Sequence, residues 1–126
     1  MNEYRILVVD DEEDLCEILK FNLENEGYEV DTANSAEDAL KMDISTYDLL
    51  LLDVMMGEIS GFKMASMLKK EKKTAKIPII FITAKDTEND TVTGFNIGAD
   101  DYISKPFSLR EVAARVKAVL RRTRQT

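Results

Sequence analysis

What most constrains this chain is an alternation: short apolar runs of strand length are each followed by a longer stretch in which apolar residues recur at helical spacing. Arg5-Ile6-Leu7-Val8-Val9 reads as a strand buried on both faces. Leu15, Ile18, Leu19 and Leu23 then fall on one helical face, and Gly27 closes that segment as a helix C′ residue. Residues 28–33 alternate like an edge strand, and Ser35 with Asp38 supplies the N-cap and N3 acid of a helix running through Ala39, Leu40 and Met42. Residues 47–52 form a third strand. Ser60 opens a helix with Met64, Met67 and Leu68 on one face, followed by a lysine-rich surface stretch at 69–76. Pro78 opens a fourth strand at 79–83. A polar helix at 87–97, a short strand around Tyr102-Ile103 and a last helix with Leu109, Val112, Val116 and Leu120 on one face complete five βα units. Such regularity predicts an α/β domain, a five-stranded parallel sheet doubly wound by helices on both faces through right-handed crossovers.

Composition narrows the chemistry. The 126 residues suffice for one hydrophobic core, and no apolar run approaches the eighteen or so residues of a membrane span. The opening Tyr4-Arg5-Ile6-Leu7 has no signal-peptide pattern, so a cytoplasmic location and no membrane association are expected. Cys16 is the single cysteine, which excludes an intramolecular disulfide and a thiolate zinc cluster; it reads as a small buried hydrophobe. There is no histidine, which argues against serine-type and cysteine-type hydrolases, whose nucleophiles lean on an imidazole. The net charge of −7 argues against nucleic-acid binding by the domain as a whole. That charge is uneven: from Arg110 onward six basic residues meet one acid, a local +5 against −12 for residues 1–109.

In parallel α/β sheets ligands bind beyond the carboxyl ends of the strands. There this sequence places Asp10 and Asp11 after strand one, Asp53 after strand three, Thr83 after strand four and Lys105 after strand five. Taken singly, each has an ordinary explanation: acids suit a helix start, a threonine suits a strand-end turn, and a lysine suits a solvated surface. Together they fall at one sheet edge, and three acids facing one lysine are electrostatically costly without a cation. Carboxylates converging without histidine or thiolate favour a hard divalent ion, Mg²⁺ first and Mn²⁺ as an alternative. With the acids neutralised, Asp53 can attack a phosphoryl donor, while Thr83 and Lys105 bind the transferred oxygens.

Val8-Val9-Asp10-Asp11-Glu12, Leu51-Leu52-Asp53-Val54-Met55-Met56, Thr83-Ala84 and Asp100-Asp101-Tyr102-Ile103-Ser104-Lys105-Pro106-Phe107 resemble the four signature blocks of response-regulator receiver domains. Gly98-Ala99-Asp100-Asp101-Tyr102 and Leu120-Arg121-Arg122 are further similar to the OmpR/PhoB-type subfamily. The resemblance implies a flavodoxin-like (βα)5 fold with strand order 2-1-3-4-5. It makes Asp53 the phospho-acceptor, Asp10 and Asp11 the metal acids, and Met55 the donor of a backbone carbonyl to the metal. Thr83 becomes the switch hydroxyl, Tyr102 the switch aromatic, Lys105 the cationic partner, and Lys105-Pro106 a cis peptide. It also implies a sensor histidine kinase as phosphoryl source and a switch with slow autodephosphorylation in place of an enzyme with turnover. When phosphorylated, such a domain is expected to form a homodimer through helix four, strand five and helix five, with Asp100, Asp101, Glu111, Arg115, Lys117 and Arg122 on that face. Residues 1–122 are then the receiver and 123–126 the start of a linker to a C-terminal domain, absent from this chain, through which DNA would be bound and transcription controlled.

Two departures stand out. Where the family commonly has proline four residues after the acceptor, this chain has Gly57, which adds backbone freedom. Thr91 and Asn96 occupy positions where the subfamily often carries a basic residue and an acid, so two intersubunit ion pairs are missing from the expected face. Three other readings compete. Aspartyl-phosphate phosphohydrolases need a second Asp two residues past the nucleophile, where Met55 stands. A nucleotide-binding fold wants a glycine-rich loop after strand one, but Asp10-Asp11-Glu12-Glu13-Asp14 repels phosphates. A purely structural interaction module would not need the full set of site residues.

Overall fold

A computed structural model of the chain describes residues 4–84 and 96–124. Their elements are β1 (Arg5–Val9), α1 (Glu13–Asn25), β2 (Glu29–Ala33), α2 (Ala36–Leu40), a 3-10 turn (Ile44–Thr46), β3 (Leu49–Asp53), α3 (Gly61–Lys69), β4 (Ile79–Thr83), β5 (Asp101–Ser104) and a C-terminal helix (Leu109–Arg124). Among the described residues the strands form one five-stranded sheet in the order β2-β1-β3-β4-β5. All pairings are parallel, with Val9 opposite both Ala33 and Leu52, and Leu52 opposite Phe81. The doubly wound architecture and strand order read from the sequence are those found.

The strands divide their side chains between two cores, because successive residues of a strand point to opposite faces. Leu7, Val9, Leu50, Leu52, Ile79 and Phe81 meet Ala36 and Ala39 of α2 and Met64, Ala65 and Leu68 of α3. On the other face, Ile6, Val8, Leu49, Leu51, Ile80, Ile82 and Ile103 meet Cys16, Leu19 and Leu23 of α1 and Val112, Val116, Val119 and Leu120 of the C-terminal helix. Burial on both faces explains why β1, β3 and β4 read as continuous apolar runs. Helix starts follow the capping residues: the Ser35 hydroxyl accepts from Asp38 N at 3.0 Å and the Ser60 hydroxyl from Lys63 N at 3.1 Å. Gly27, at φ 100°, takes the left-handed conformation that ends α1.

The structure corrects the sequence reading in several places. Ile18 and Met67, assigned to buried faces, are 49% and 40% exposed. A helix packed on a sheet buries a narrow stripe; Cys16, Leu19 and Leu23 supply it on α1, and Met64, Ala65 and Leu68 on α3, while Ile18 and Met67 sit more than about 100° round from its centre. The second helix stops at Leu40, where the Lys41 N–H turns back to Asp38 O. The third strand begins at Leu49, two residues later than expected, because Asp48 is used to accept from Arg5 N at 2.8 Å and Tyr47 N closes the 3-10 turn. Lys69 belongs less to the surface than the lysine run suggested: its ammonium donates to Ala75 O at 3.1 Å and Ile77 O at 3.2 Å. The polar helix expected at 87–97 lies outside the described residues except for its last two.

Leu50 is the second residue of the central strand and is fully buried. Leu50→Ala should lower stability by about 2–5 kcal/mol, the lost transfer energy plus a cavity. Urea unfolding with an unchanged m-value is the measurement, and a loss below about 1 kcal/mol would contradict the core described.

Candidate functional site

The parallel register places the ends of β1, β3 and β4 side by side, and the first residues past the apolar runs are the polar ones. Asp10 follows β1, Asp53 ends β3 and Thr83 ends β4; all three are buried, at 2%, 4% and 0% exposure. Asp11 is exposed beside them. Carboxylate oxygens of Asp10, Asp11 and Asp53 all lie within 4.8 Å of one another. Lys105, just past β5, reaches back across the sheet edge, its Nζ 3.1 Å from Asp10 Oδ2 and 3.8 Å from Asp53 Oδ2. The Lys105-Pro106 peptide is cis, as the resemblance implied, and Lys105 N donates to Thr83 O at 2.8 Å.

Backbone contacts hold the acids in place. Asp10 N donates to Ala33 O at 3.1 Å, Asp10 Oδ1 accepts from Glu12 N at 2.9 Å, and Asp10 O accepts from Asn34 Nδ2 at 3.2 Å and Cys16 Sγ at 3.3 Å. Cys16 is thus a buried thiol bonded to the strand end, and burial pushes its pKa up to about 11, which leaves it inert at neutral pH. Met55 N points to Asp53 Oδ1 at a long 3.4 Å, while its side chain is exposed. Gly61 opens α3 against the end of β3: its N–H donates to Val54 O at 3.0 Å, and a Cβ there would lie 2.1 Å from Asp53 O. Gly57, the departure from the family pattern, has open space around it and no positive φ.

Sequence reasoning placed Asp10, Asp11, Asp53, Thr83 and Lys105 at one sheet edge; the structure brings the three acids and Lys105 into contact range there, with Thr83 at the end of the neighbouring β4. It missed Glu12, whose Oε2 accepts from Lys105 at 2.9 Å, and Gly61. Glu12 stood only as one of the run of acids after strand one, whereas a glycine directly after the Ser60 N-cap was a usable signal, since glycine is a poor helix former. Tyr102 is partly buried and packs on Phe81, with ring centroids 6.3 Å apart.

The residues assigned to a dimer face are largely engaged within their own chain. Arg115 Nη1 lies 3.0 and 3.1 Å from the two Asp101 oxygens, and Arg115 Nε 3.1 Å from Glu111 Oε2. The Asp100 carboxylate accepts from Ile79 N at 3.0 Å, and Arg122 Nη2 donates to Asp100 O at 3.3 Å. Lys117 and Asn96 are exposed; Thr91 lies outside the described residues.

Charge sets the site's chemistry. Burial disfavours the ionised form of Asp53, and the Asp10 charge adds to that, so its pKa is pushed up to about 7 against the pull of Lys105 and the Met55 N–H. Asp10 is raised too, first by burial, with the Glu12 N–H and Lys105 opposing. For Lys105, burial acts to lower the pKa, but its bonds to Glu12 and Asp10 outweigh that and leave it raised. One ammonium against three clustered carboxylates leaves a deficit of positive charge. Hard oxygen donors in a chain with no histidine and a buried thiol fit Mg²⁺ or Mn²⁺, not a soft metal.

A parallel (βα) sheet with this cluster at its carboxyl edge defines a class, and comparison with known proteins specifies it. The response regulator receiver domain pattern matches residues 6–117, and the chain belongs to that family. It is 50% identical over 120 residues to the alkaline phosphatase synthesis transcriptional regulatory protein PhoP of Bacillus subtilis, covering 94% of this chain and 49% of that protein. It is 47% identical over 126 residues to ResD of the same organism, covering 99% of this chain and 51% of ResD. Among solved structures, the HemR receiver domain from Leptospira biflexa superposes with a TM-score of 0.87 at 35% identity, covering 94% of both chains. DrrB of Thermotoga maritima, an OmpR/PhoB homolog, gives 0.86 at 31% identity over 96% of this chain and 54% of DrrB. These relatives make the domain OmpR/PhoB-like, and the chain spans about half the length of the curated relatives it matches. Receiver domains partner with sensor histidine kinases and bind Mg²⁺ through an acidic cluster. Among the described residues, no helix is long and apolar enough to cross a membrane.

The raised Asp53 pKa has a consequence for stability. Because the folded value lies above the ordinary 3.8, the folded chain holds more protons than the unfolded one between roughly pH 4 and 7, so stability falls as pH rises through that window. Asp53→Asn should therefore be more stable than wild type by about 2–4 kcal/mol near pH 8 in chelator, the gain vanishing towards about pH 4. Urea unfolding at both pH values measures it, and equal stabilities near pH 8 would refute the destabilised carboxylate.

Proposed function

We propose that Asp53 is the phospho-acceptor of a two-component response regulator, taking its phosphoryl group from a phosphohistidine on a partner sensor kinase. The observation that supports this best is a buried carboxylate at the end of β3, flanked by two more acids and one ammonium. An Asp53 oxygen attacks phosphorus, forming a P–O bond; the P–N bond breaks, and its electron pair stays on the kinase imidazole, which takes a proton from solvent. Asp10, Asp11, Asp53 and the Met55 carbonyl would hold Mg²⁺, with Mn²⁺ as a substitute. The bound ion supplies positive charge that lets an anionic donor approach the acids. Lys105 moves from the carboxylates to a phosphoryl oxygen, and Thr83 donates its hydroxyl to another. Hydrolysis of the acyl phosphate returns the domain to rest, so it acts as a switch and not as an enzyme with a released substrate.

Phosphorylation adds about −1.5 to −2 of charge at Asp53, by analogy with other phosphoresidues, enough to draw Thr83 towards it. Tyr102 follows inward into the space Thr83 leaves. The output is transcription, controlled through a DNA-binding domain outside this chain, and the setting is cytoplasmic; the names of PhoP and ResD as transcriptional regulators support this reading, while residues 123 and 124, expected to open a linker, continue the C-terminal helix. Activated copies pair two-fold through the face that carries β5 and the C-terminal helix, with Asp100, Asp101, Glu111, Arg115, Lys117 and Arg122 at the contact. Since Arg115 already pairs with Asp101 and Glu111 of its own chain, an intersubunit pair exchanges one contact for another, and net gain is small.

Asp53→Asn should abolish labelling by acetyl phosphate with Mg²⁺ while the fold persists, and Asp11→Ala should weaken Mg²⁺ binding roughly 10–100-fold. Intact-mass spectrometry and metal titration check both; undiminished labelling of Asp53→Asn would overturn the acceptor. Beryllofluoride should induce a weak, salt-sensitive dimer that Arg115→Ala loosens by about two- to fivefold in sedimentation. A dimer indifferent to activation would show that this face is not the output surface.

A further inference from the structure

Glu12 belongs neither to the metal acids nor to the proposed phosphoryl contacts, yet it makes the shortest contact to Lys105 among the three acids that surround that ammonium. Nζ lies 2.9 Å from Glu12 Oε2, 3.1 Å from Asp10 Oδ2 and 3.8 Å from Asp53 Oδ2. The first two are hydrogen bonds; the third is beyond hydrogen-bond reach. In the resting chain the cation therefore stands beside Glu12 and Asp10, off the proposed acceptor. The Glu12 backbone is fixed by its N–H to Asp10 Oδ1 at 2.9 Å, whereas its side chain is 62% exposed and can turn into solvent. To bond an oxygen carried on Asp53, Lys105 must shift towards Asp53, and that shift strains or breaks the Glu12 bond.

We propose that Glu12 is a positioning residue that parks Lys105 away from Asp53 in the resting state, so that phosphorylation requires Lys105 to leave Glu12. The proposal rests on Asp53 being the acceptor. Glu12 and the phosphoryl group compete for one cation, and strengthening or weakening the parking contact sets how readily the activated state forms. Glu13, an exposed acid one residue on that takes no part in the Lys105 contacts, carries the same charge and separates parking from long-range repulsion.

The experiment compares wild type with Glu12→Gln, Glu12→Asp and Glu13→Gln. Glu12→Gln keeps the shape and loses the charge; Glu12→Asp keeps the charge but is one methylene too short to reach Nζ. Half-saturation by beryllofluoride at saturating Mg²⁺ should fall about two- to fivefold in both Glu12 variants, the size expected for a solvent-exposed ion pair, and stay at the wild-type value in Glu13→Gln. In metal-free protein without any phosphoryl analogue, NMR relaxation of the Lys105 side-chain methylenes should show larger motion in both Glu12 variants alone. If Glu12→Asp matches wild type while Glu12→Gln and Glu13→Gln shift together, charge at a distance explains the effect and the proposal fails. Unchanged Lys105 motion in Glu12→Gln overturns it as well. Failure of the underlying reading looks different: wild type itself would then carry no acetyl-phosphate label at Asp53.

Discussion

A parallel sheet covered on both faces leaves its strand ends as the place where polar side chains can gather, and this constraint organises the whole molecule. Strands β1, β3 and β4 are five residues each, and nearly every side chain in them enters one of two apolar layers. Polar character returns where that layer stops, at Asp10, Asp53 and Thr83. Because the strands are parallel and in register, those stops coincide in space. The core thus does more than stabilise: it sets the spacing between the carboxylates, and a slip of one residue in β3 would turn Asp53 to the opposite face.

The two ends of the sheet are balanced differently. At the amino ends Arg5 lies 3.2 Å from both Glu29 and Asp31, its guanidinium sits 4.6 Å from the Tyr47 ring centroid, and the Tyr47 hydroxyl donates to Asp31 at 2.6 Å. Each charge there has a partner, as a structural cluster should. At the carboxyl ends Asp10 and Asp53 are buried with a single ammonium between them and Asp11 close by. The excess of negative charge is a standing cost to the fold, offset only in part by the N–H groups of Glu12 and Met55 and by Lys105. An end of the molecule built against its own stability is where function is to be sought.

Much of this was legible in the residues themselves. Apolar runs with β-branched residues located the strands, Ser35 and Ser60 announced their helices, and the acids after Val9 and Leu52 marked the site. What the sequence concealed were contacts between distant elements. Nothing local distinguishes Glu12 from Glu13, since only the return of β5 brings Lys105 beside the former. Asp100 and Asp101 looked alike as surface acids, yet one accepts from the Ile79 backbone and the other from Arg115. Ile18 fits the helical period of α1 but falls off the stripe that α1 presents to the sheet, since Cys16, Leu19 and Leu23 fill that contact. Asp48 and Tyr47 read as strand and became its lead-in, as the backbone of Arg5 claimed the Asp48 carboxylate.

The two glycines on either side of the loop after β3 have opposite meanings. Around Gly57 there is empty space, whereas at Gly61 even one methyl group would overlap the carbonyl oxygen of Asp53. Substitution can therefore explore position 57 freely, changing loop stiffness without touching the core, while position 61 is closed to every residue with a Cβ unless the backbone of Asp53 yields. Room for substitution in this segment lies outward, at the exposed rim formed by Met55, Gly57 and Glu58. That rim can change while the backbone seat of Asp53 stays fixed.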